Sequence, residues 1–190
     1  MPLLGSGRDL PNPERAVRIA GIRETFEETA LLLATRPDGG PIDQPERTDR
    51  SFIDVVRASG GLLMLDDVQP FAHWITPEVS PRRFDTYFLL ARAPVGQHAI
   101  PDGGETVALE WASPGETVKR AESDAQIIFP TLLNLMRLAE STDSESAIDA
   151  ARRRPLVTVM PTVEVRDGVK IAVIPAEAGY GATEYPAPGR

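Results

Sequence analysis

Residues 23–28, Arg-Glu-Thr-Phe-Glu-Glu, constrain this chain more than any other stretch. Around them Ile19, Ile22, Phe26, Ala30 and Leu33 recur at helical spacing and form an apolar stripe. The stripe predicts a helix from about Glu14 to Ala34 that buries one face in a core. Glu24, Glu27 and Glu28 stand at i, i+3 and i+4, so they share the opposite face. Two readings of that face are open. It is a solvated acidic surface with an ordinary Arg23–Glu27 pair, worth about 0.3–0.5 kcal/mol. Alternatively, the repulsion among three carboxylates is relieved by a hard divalent cation, which takes oxygen ligands and keeps waters and substrate phosphates in its other positions. Ala20 and Gly21 nearby are small enough for a ligand to approach.

The order of elements bounds the fold. Met1–Pro13 reads as an irregular lead-in, and Arg36–Arg50, rich in proline, glycine and charge, as a loop. Ser51–Ser59 predicts a short helix closed by Gly60-Gly61. Val68–Thr76, Phe84–Ala93 and Thr106–Ala112 predict strands. Pro114 opens a further helix, and Ile127–Glu140 and Ser144–Arg153 predict two more. Leu156–Val165 and Val169–Pro175 flank Arg166-Asp167-Gly168, a hairpin turn. Strands and helices interspersed in this way predict an α/β or α+β fold, a mixed sheet between helices. At 190 residues, 42% hydrophobic and 25% charged, residues 1–175 are expected to form one globular domain, with 176–190 a flexible tail.

Charge and composition exclude several functions. A net charge of −8 argues against non-specific binding to nucleic acid. Apolar runs such as Leu31–Ala34 are too short for a membrane span, and no basic region precedes an apolar stretch at the N-terminus, so a cytoplasmic protein is expected. The absence of cysteine rules out thiol chemistry. Two histidines offer little for a zinc site, and there is neither a Ser-His-Asp pattern nor a glycine-rich phosphate loop. His73, Trp74 and Tyr87 read as strand residues that pack rather than react.

The segment Arg23–Leu31 resembles the second half of the Nudix box, G-x5-E-x7-R-E-U-x-E-E-x-G-U with U a bulky apolar residue. Ala30 stands where the box has glycine and Thr25 where it has an apolar residue. The first half is out of register: Arg15 occupies the glutamate position, with Glu14 beside it, and Asp9 occupies the glycine position. Further along, Phe71–Pro77, Arg82–Phe88, Asp102–Thr106 with Trp111, and Phe129–Leu132 follow in order. Together they resemble the Nudix branch that includes the peroxisomal acyl-coenzyme A diphosphatases and their bacterial relatives.

That resemblance implies a Nudix-type sheet sandwiched between helices and a pyrophosphohydrolase acting on a nucleoside diphosphate linked to another group, with coenzyme A or acyl-coenzyme A as substrate. It implies Glu24, Glu27 and Glu28 as ligands for Mg²⁺ or Mn²⁺, braced by Arg23, on an exposed face beside a cavity. Glu24, Glu28 and Glu105 are then catalytic candidates, with Glu24 or Glu105 as general base and Glu110 as a rival to Glu105. Arg82 and Arg83 are candidate phosphate clamps, or else an ordinary charged turn neutralised by Asp85. Few residues precede the helix, so the sheet is expected to lack strands and to leave an edge for the C-terminal hairpin or a second subunit to cover, making a homodimer. Two alternatives stay open: a non-catalytic Nudix-fold nucleotide-binding module, and a truncated fragment of an active hydrolase.

Overall fold

The computed structural model describes residues 3–121 and 127–186. The chain divides into two compact units, residues 1–69 with 91–111 and residues 70–90 with 112–190.

In the first unit the chain opens with strand β1 (Leu4–Ser6), followed by helix α1 (Asn12–Thr29), strand β2 (Ala34–Thr35), helix α2 (Phe52–Ser59) and strand β3 (Leu62–Met64). These strands form a three-stranded sheet in the order β1-β3-β2, with β1 parallel to β3 and β2 antiparallel to it. The expected irregular lead-in therefore contains a strand. It is fastened to the turn after β3: Gly7 N donates to Asp66 Oδ2 (3.1 Å) and Asp66 N donates to Ser6 Oγ (3.0 Å). Gly7 has φ +72°, and a Cβ there would lie 2.6 Å from Leu65 Cβ, so only glycine permits this approach.

Helix α1 is shorter than its apolar stripe suggested, because Ala30 turns left-handed (φ 59°, ψ 11°) and its N–H closes on Phe26 O. The helix buries Arg18, Ile22 and Phe26, with Phe26 tilted against Phe52 of α2 at 6.3 Å. Arg18 is a buried cation on the apolar side. Its guanidinium donates to Leu65 O (2.7 Å) and pairs with Glu14 (2.5 Å), so the charge enters the core with partners. Ser51 caps α2 by accepting from Asp54 N, and Gly60 (φ 67°) ends it. The third expected strand is absent: Thr106–Ala112 carries no regular hydrogen-bonded structure.

The second unit holds strands β4 (Gln69–Ile75, its first residue lying at the boundary) and β5 (Asp85–Leu90), and helices α3 (Pro114–Ala121), α4 (Phe129–Leu138) and α5 (Ser144–Arg153). Strands β6 (Thr158–Val159), β7 (Thr162–Arg166), β8 (Val169–Val173) and β9 (Glu184–Pro186) complete it. One sheet has the order β5-β4-β6, with β4 parallel to β6; the other is the antiparallel set β7-β8-β9. Asp167 (φ 51°) and Gly168 (φ 79°) give the turn between β7 and β8 the two left-handed residues that a tight hairpin needs. Residues 176–186, expected as part of a tail, include a 3-10 turn (Ala176–Ala178) and β9; residues 187–190 lie outside the described residues. The core gathers Phe71, Trp74, Leu133, Val159 and Ile174, and Trp74 Nε1 donates to Tyr180, whose hydroxyl donates to Asn134.

Candidate functional site

Burial of Ile22 and Phe26 rotates Glu24 and Glu27 out to solvent, with Glu28 half-buried at the edge of the same face. Arg23 joins two of the three: its guanidinium hydrogen-bonds Glu24 and lies 3.6 Å from Glu27. The hydrogen bond to Glu24 and the charges of Glu24 and Glu27 hold the Arg23 pKa above its ordinary value. Glu28 has a different neighbour. Thr106 Oγ1 donates to its Oε2 at 3.2 Å, bringing the loop that carries Glu105 to the glutamate face.

That loop is folded by Asp102. Its Oδ2 accepts from the backbone N–H groups of Gly104 (3.2 Å) and Glu105 (3.0 Å), its Oδ1 accepts from Thr106 N (2.7 Å), and Gly103 N donates to Thr106 O. Those bonds, led by the one from Thr106, hold the Asp102 carboxyl below its ordinary pKa. The fold thus sets Thr106 on Glu28 and leaves Glu105, next in sequence, exposed.

The C-terminal end of α1 is tied to the same loop. Of the carbonyls a helix end leaves unsatisfied, Glu27 O accepts from Arg47 Nη1 (3.1 Å) and Thr29 O from Ile100 N (2.8 Å). Ala30 O accepts from Gln44 Nε2 (2.8 Å). Arg47 also donates to Pro101 O (2.7 Å), and Gln97 bonds Leu32 through both its amide atoms. Arg47, Gln44, Gln97 and Thr106 were not singled out from sequence. Arg47 and Gln44 lie in a loop whose composition marks only irregularity; Asp102-Gly103-Gly104 does carry a turn signal that points to the Asp102 cap.

Arg82 and Arg83 are exposed on the turn between β4 and β5 in the second unit, where Arg83 Nε donates to Thr76 O (3.1 Å). His73 is buried in β4, between Thr158 Oγ1 (2.8 Å) and Asp85 Oδ1 (2.5 Å), with the Tyr87 ring stacked on it at 3.9 Å. Asp85 is thus engaged with His73. Glu110, the rival to Glu105, is exposed in the segment after the loop. A cavity of about 800 Å³ lies in the second unit, lined by Trp74, Phe84, Phe88, Phe129 and Lys170 among others.

Whether the glutamate face suits a divalent cation is a question of donors and of position. The donors are right: three carboxylates from one helix, with hard oxygens suited to Mg²⁺ or Mn²⁺. In position, among the described residues no three His, Asp or Glu side chains are gathered closely enough to hold an ion. Arg23 supplies the countercharge for two of the three instead.

No family model matches the chain. Its fold is similar to the crystal structure of a NUDIX hydrolase from Alicyclobacillus acidocaldarius, at a TM-score of 0.60 and 25% identity, covering 77% of this chain and 69% of that one. Fold and glutamate helix alike are thus similar to those of Nudix hydrolases. Among curated proteins it is similar to the acyl-coenzyme A diphosphatase NUDT19 of Gallus gallus (29% identity over 164 residues, 70% of this chain and 42% of that one). It is also similar to the NUDT19 proteins of Homo sapiens (30% over 125 residues, 55% and 33%) and Xenopus laevis (25% over 134 residues, 58% and 35%). The chain thus spans less than half the length of these curated relatives. Nudix hydrolases generally use divalent metals. Among the described residues no helix is long and apolar enough to cross a membrane.

Proposed function

We propose that this chain is a divalent-metal-dependent pyrophosphohydrolase of a nucleoside diphosphate derivative, with coenzyme A or an acyl-coenzyme A as its substrate. The observation that carries the reading is the joining of α1 to the Asp102–Thr106 loop: Glu28 of the glutamate face is met by Thr106, beside Glu105. The substrate class rests on similarity to proteins named acyl-coenzyme A diphosphatase.

In this reading Glu24, Glu27 and Glu28 hold the cation, which when bound supplies charge neutralisation at the pyrophosphate. Arg23 braces the glutamates and keeps their face from splaying. Water attacks one phosphorus, the bridging P–O bond breaks, and Glu105 or Glu24 takes the proton released by the water. With coenzyme A the products are the phosphopantetheine and adenosine 3′,5′-bisphosphate. Arg82 and Arg83 are candidate phosphate-binding groups. Arg83→Lys keeps the charge and loses the planar fork, so it is expected to raise KM more than it lowers kcat. Unchanged kinetics would leave Arg83 as the brace of its own turn, where it bonds Thr76.

The testing experiment is a hydrolysis screen in Mg²⁺ and in Mn²⁺ over coenzyme A, acyl-coenzyme A, ADP-ribose, NADH and diadenosine polyphosphates, with Mn²⁺ binding followed separately by paramagnetic resonance. Glu28→Gln removes a ligand charge with little change in volume, so it is expected to abolish hydrolysis and weaken Mn²⁺ binding while the fold persists. Hydrolysis at the wild-type rate by Glu28→Gln would refute the assignment of that residue. A second reading, a nucleotide-binding module without catalysis, is favoured by Arg23 occupying Glu24 and Glu27 and by the absence of a gathered metal cluster among the described residues. It predicts nucleotide binding with no turnover on any of these substrates.

A further inference from the structure

The cavity of the second unit, about 800 Å³, is lined from both of that unit's sheets. Trp74 of β4 and Thr86 and Phe88 of β5 come from one, and Val163 of β7 with Lys170 and Ala172 of β8 from the other. Val163 pairs with Ala172, and Lys170 stands two residues before Ala172, so these three share a face of the hairpin. The volume is that of a small-molecule site. Its lining shows carbon almost throughout. Trp74 turns its one polar atom to Tyr180 (3.1 Å), and the Thr76 hydroxyl accepts from Phe84 N (3.0 Å). Among the described residues that line it there is no carboxylate, amide or imidazole side chain. A nucleobase or a sugar would give up its hydrogen bonds to water there and gain few in return, whereas a hydrocarbon chain has none to lose. Val79, Phe84 and Ile128 carry the apolar lining out into solvent, and exposed apolar surface of that kind marks a binding site.

The lining holds one charge. Lys170 forms no ion pair with any described residue, although the chain carries −8 overall. Glu164 and Glu184 of the same sheet are taken by Arg166, which alternation puts on the other face. We propose that this cavity binds a free long-chain carboxylate, its chain along the apolar lining and its head group on Lys170. The carbon lining selects a chain over a nucleotide, and the ammonium selects an acid over a neutral lipid. An esterified chain would bring no charge to Lys170. The proposal does not rest on the hydrolase reading, since it needs neither the glutamates nor a cation.

Trp111→Phe leaves Trp74 of the lining as the only indole, and a brominated chain quenches an indole on contact. In metal-free buffer, bromododecanoate below its micelle concentration is expected to quench Trp74 saturably, and dodecanoate to reverse the quenching. From octanoate to dodecanoate the Kd is expected to fall about fourfold with each added methylene. Lys170→Met keeps most of the stem and removes the charge. It is expected to weaken dodecanoate about fivefold, the upper range for an exposed ion pair, and to leave dodecanol unchanged. Val163→Trp sets an indole in the cavity and should abolish binding by calorimetry at an unchanged Tm. Val169→Trp, on the other face of the hairpin, should bind as the wild type does. Glu28→Gln should also bind dodecanoate normally, so this site and the hydrolysis reading fail separately. Absence of saturable quenching, or binding that survives Val163→Trp, overturns the site. Equal effects of Lys170→Met on dodecanoate and dodecanol, or binding of dodecanoyl-coenzyme A without binding of dodecanoate, overturn the free acid as its occupant.

Discussion

At Ala30 two costs are balanced against each other. It stands where the Nudix box has glycine, and the structure gives the physical reason for that preference: the residue ends α1 in the left-handed region, at φ 59°. A side chain in that conformation costs about 1–2 kcal/mol. Against this, the methyl group is buried at 3% exposure, worth about 0.8 kcal/mol, and glycine would add about 0.5–1 kcal/mol of backbone entropy to lose. The terms nearly cancel, so Ala30→Gly is expected to lie within about 1 kcal/mol of the wild type in urea denaturation. Ala30→Val combines a β-branched side chain at positive φ with overpacking and is expected to cost more than about 2 kcal/mol. Thr25, the other departure from the box, needs no compensation. Its hydroxyl donates to Gly21 O at 2.8 Å within the helix, so a polar atom at a half-buried position is satisfied locally.

Among the elements, the joint between α1 and the loop at 97–106 determines what the glutamate face can do. Asp102 folds the loop as a carboxylate accepting three backbone N–H groups, and its pKa is lowered in consequence. A lowered folded-state pKa means that the contribution is fully present above the unfolded value, about 3.9, and is lost as pH falls through the folded value. Amide exchange at Gly104, Glu105 and Thr106 is therefore expected to stay slow at pH 5 and to accelerate selectively below about pH 4. Asp102→Ala should expose the same three amides at neutral pH and reduce activity through the placement of Glu105, leaving α1 intact. Protection that persists in Asp102→Ala would remove the loop from the account. This joint also marks where sequence stopped being informative. Helix α1, α2, the helices after Pro114 and the β7–β8 hairpin were legible, because periodicity, caps and an Asp-Gly turn act over a few residues. The ties from Gln44, Arg47 and Gln97 to the end of α1 join residues 14 to 65 positions apart with no periodic signature. The strand expected at Thr106–Ala112 is absent, because an apolar sequence pattern does not supply a hydrogen-bonding partner. The glutamate face and its Arg23–Glu27 pair were legible; the contact of Glu28 with Thr106 was visible only in three dimensions.

For the whole molecule, charge decides how metal binding must be measured. The chain carries a net charge of −8, so any cation, Na⁺ included, relieves self-repulsion and raises stability without occupying a site. A rise in Tm on adding MgCl₂ is then ambiguous unless ionic strength is held fixed, since screening depends on ionic strength and a site depends on the ion. At constant ionic strength set with NaCl, a cation bound only by the folded state stabilises it by about 2.7 kcal/mol when present at 100 times its Kd. Exchange of NaCl for MgCl₂ or MnCl₂ under those conditions is expected to raise the Tm of the wild type and to leave that of the Glu24→Gln/Glu28→Gln double variant nearly unchanged. Without metal, the double variant is expected to melt slightly higher than the wild type, because two of three neighbouring like charges are gone. The opposed signs in the two conditions distinguish a site from a charged surface. If both proteins gain equally from Mg²⁺, the cation acts on the −8 charge as a whole, and the three glutamates are the solvated face of an amphipathic helix.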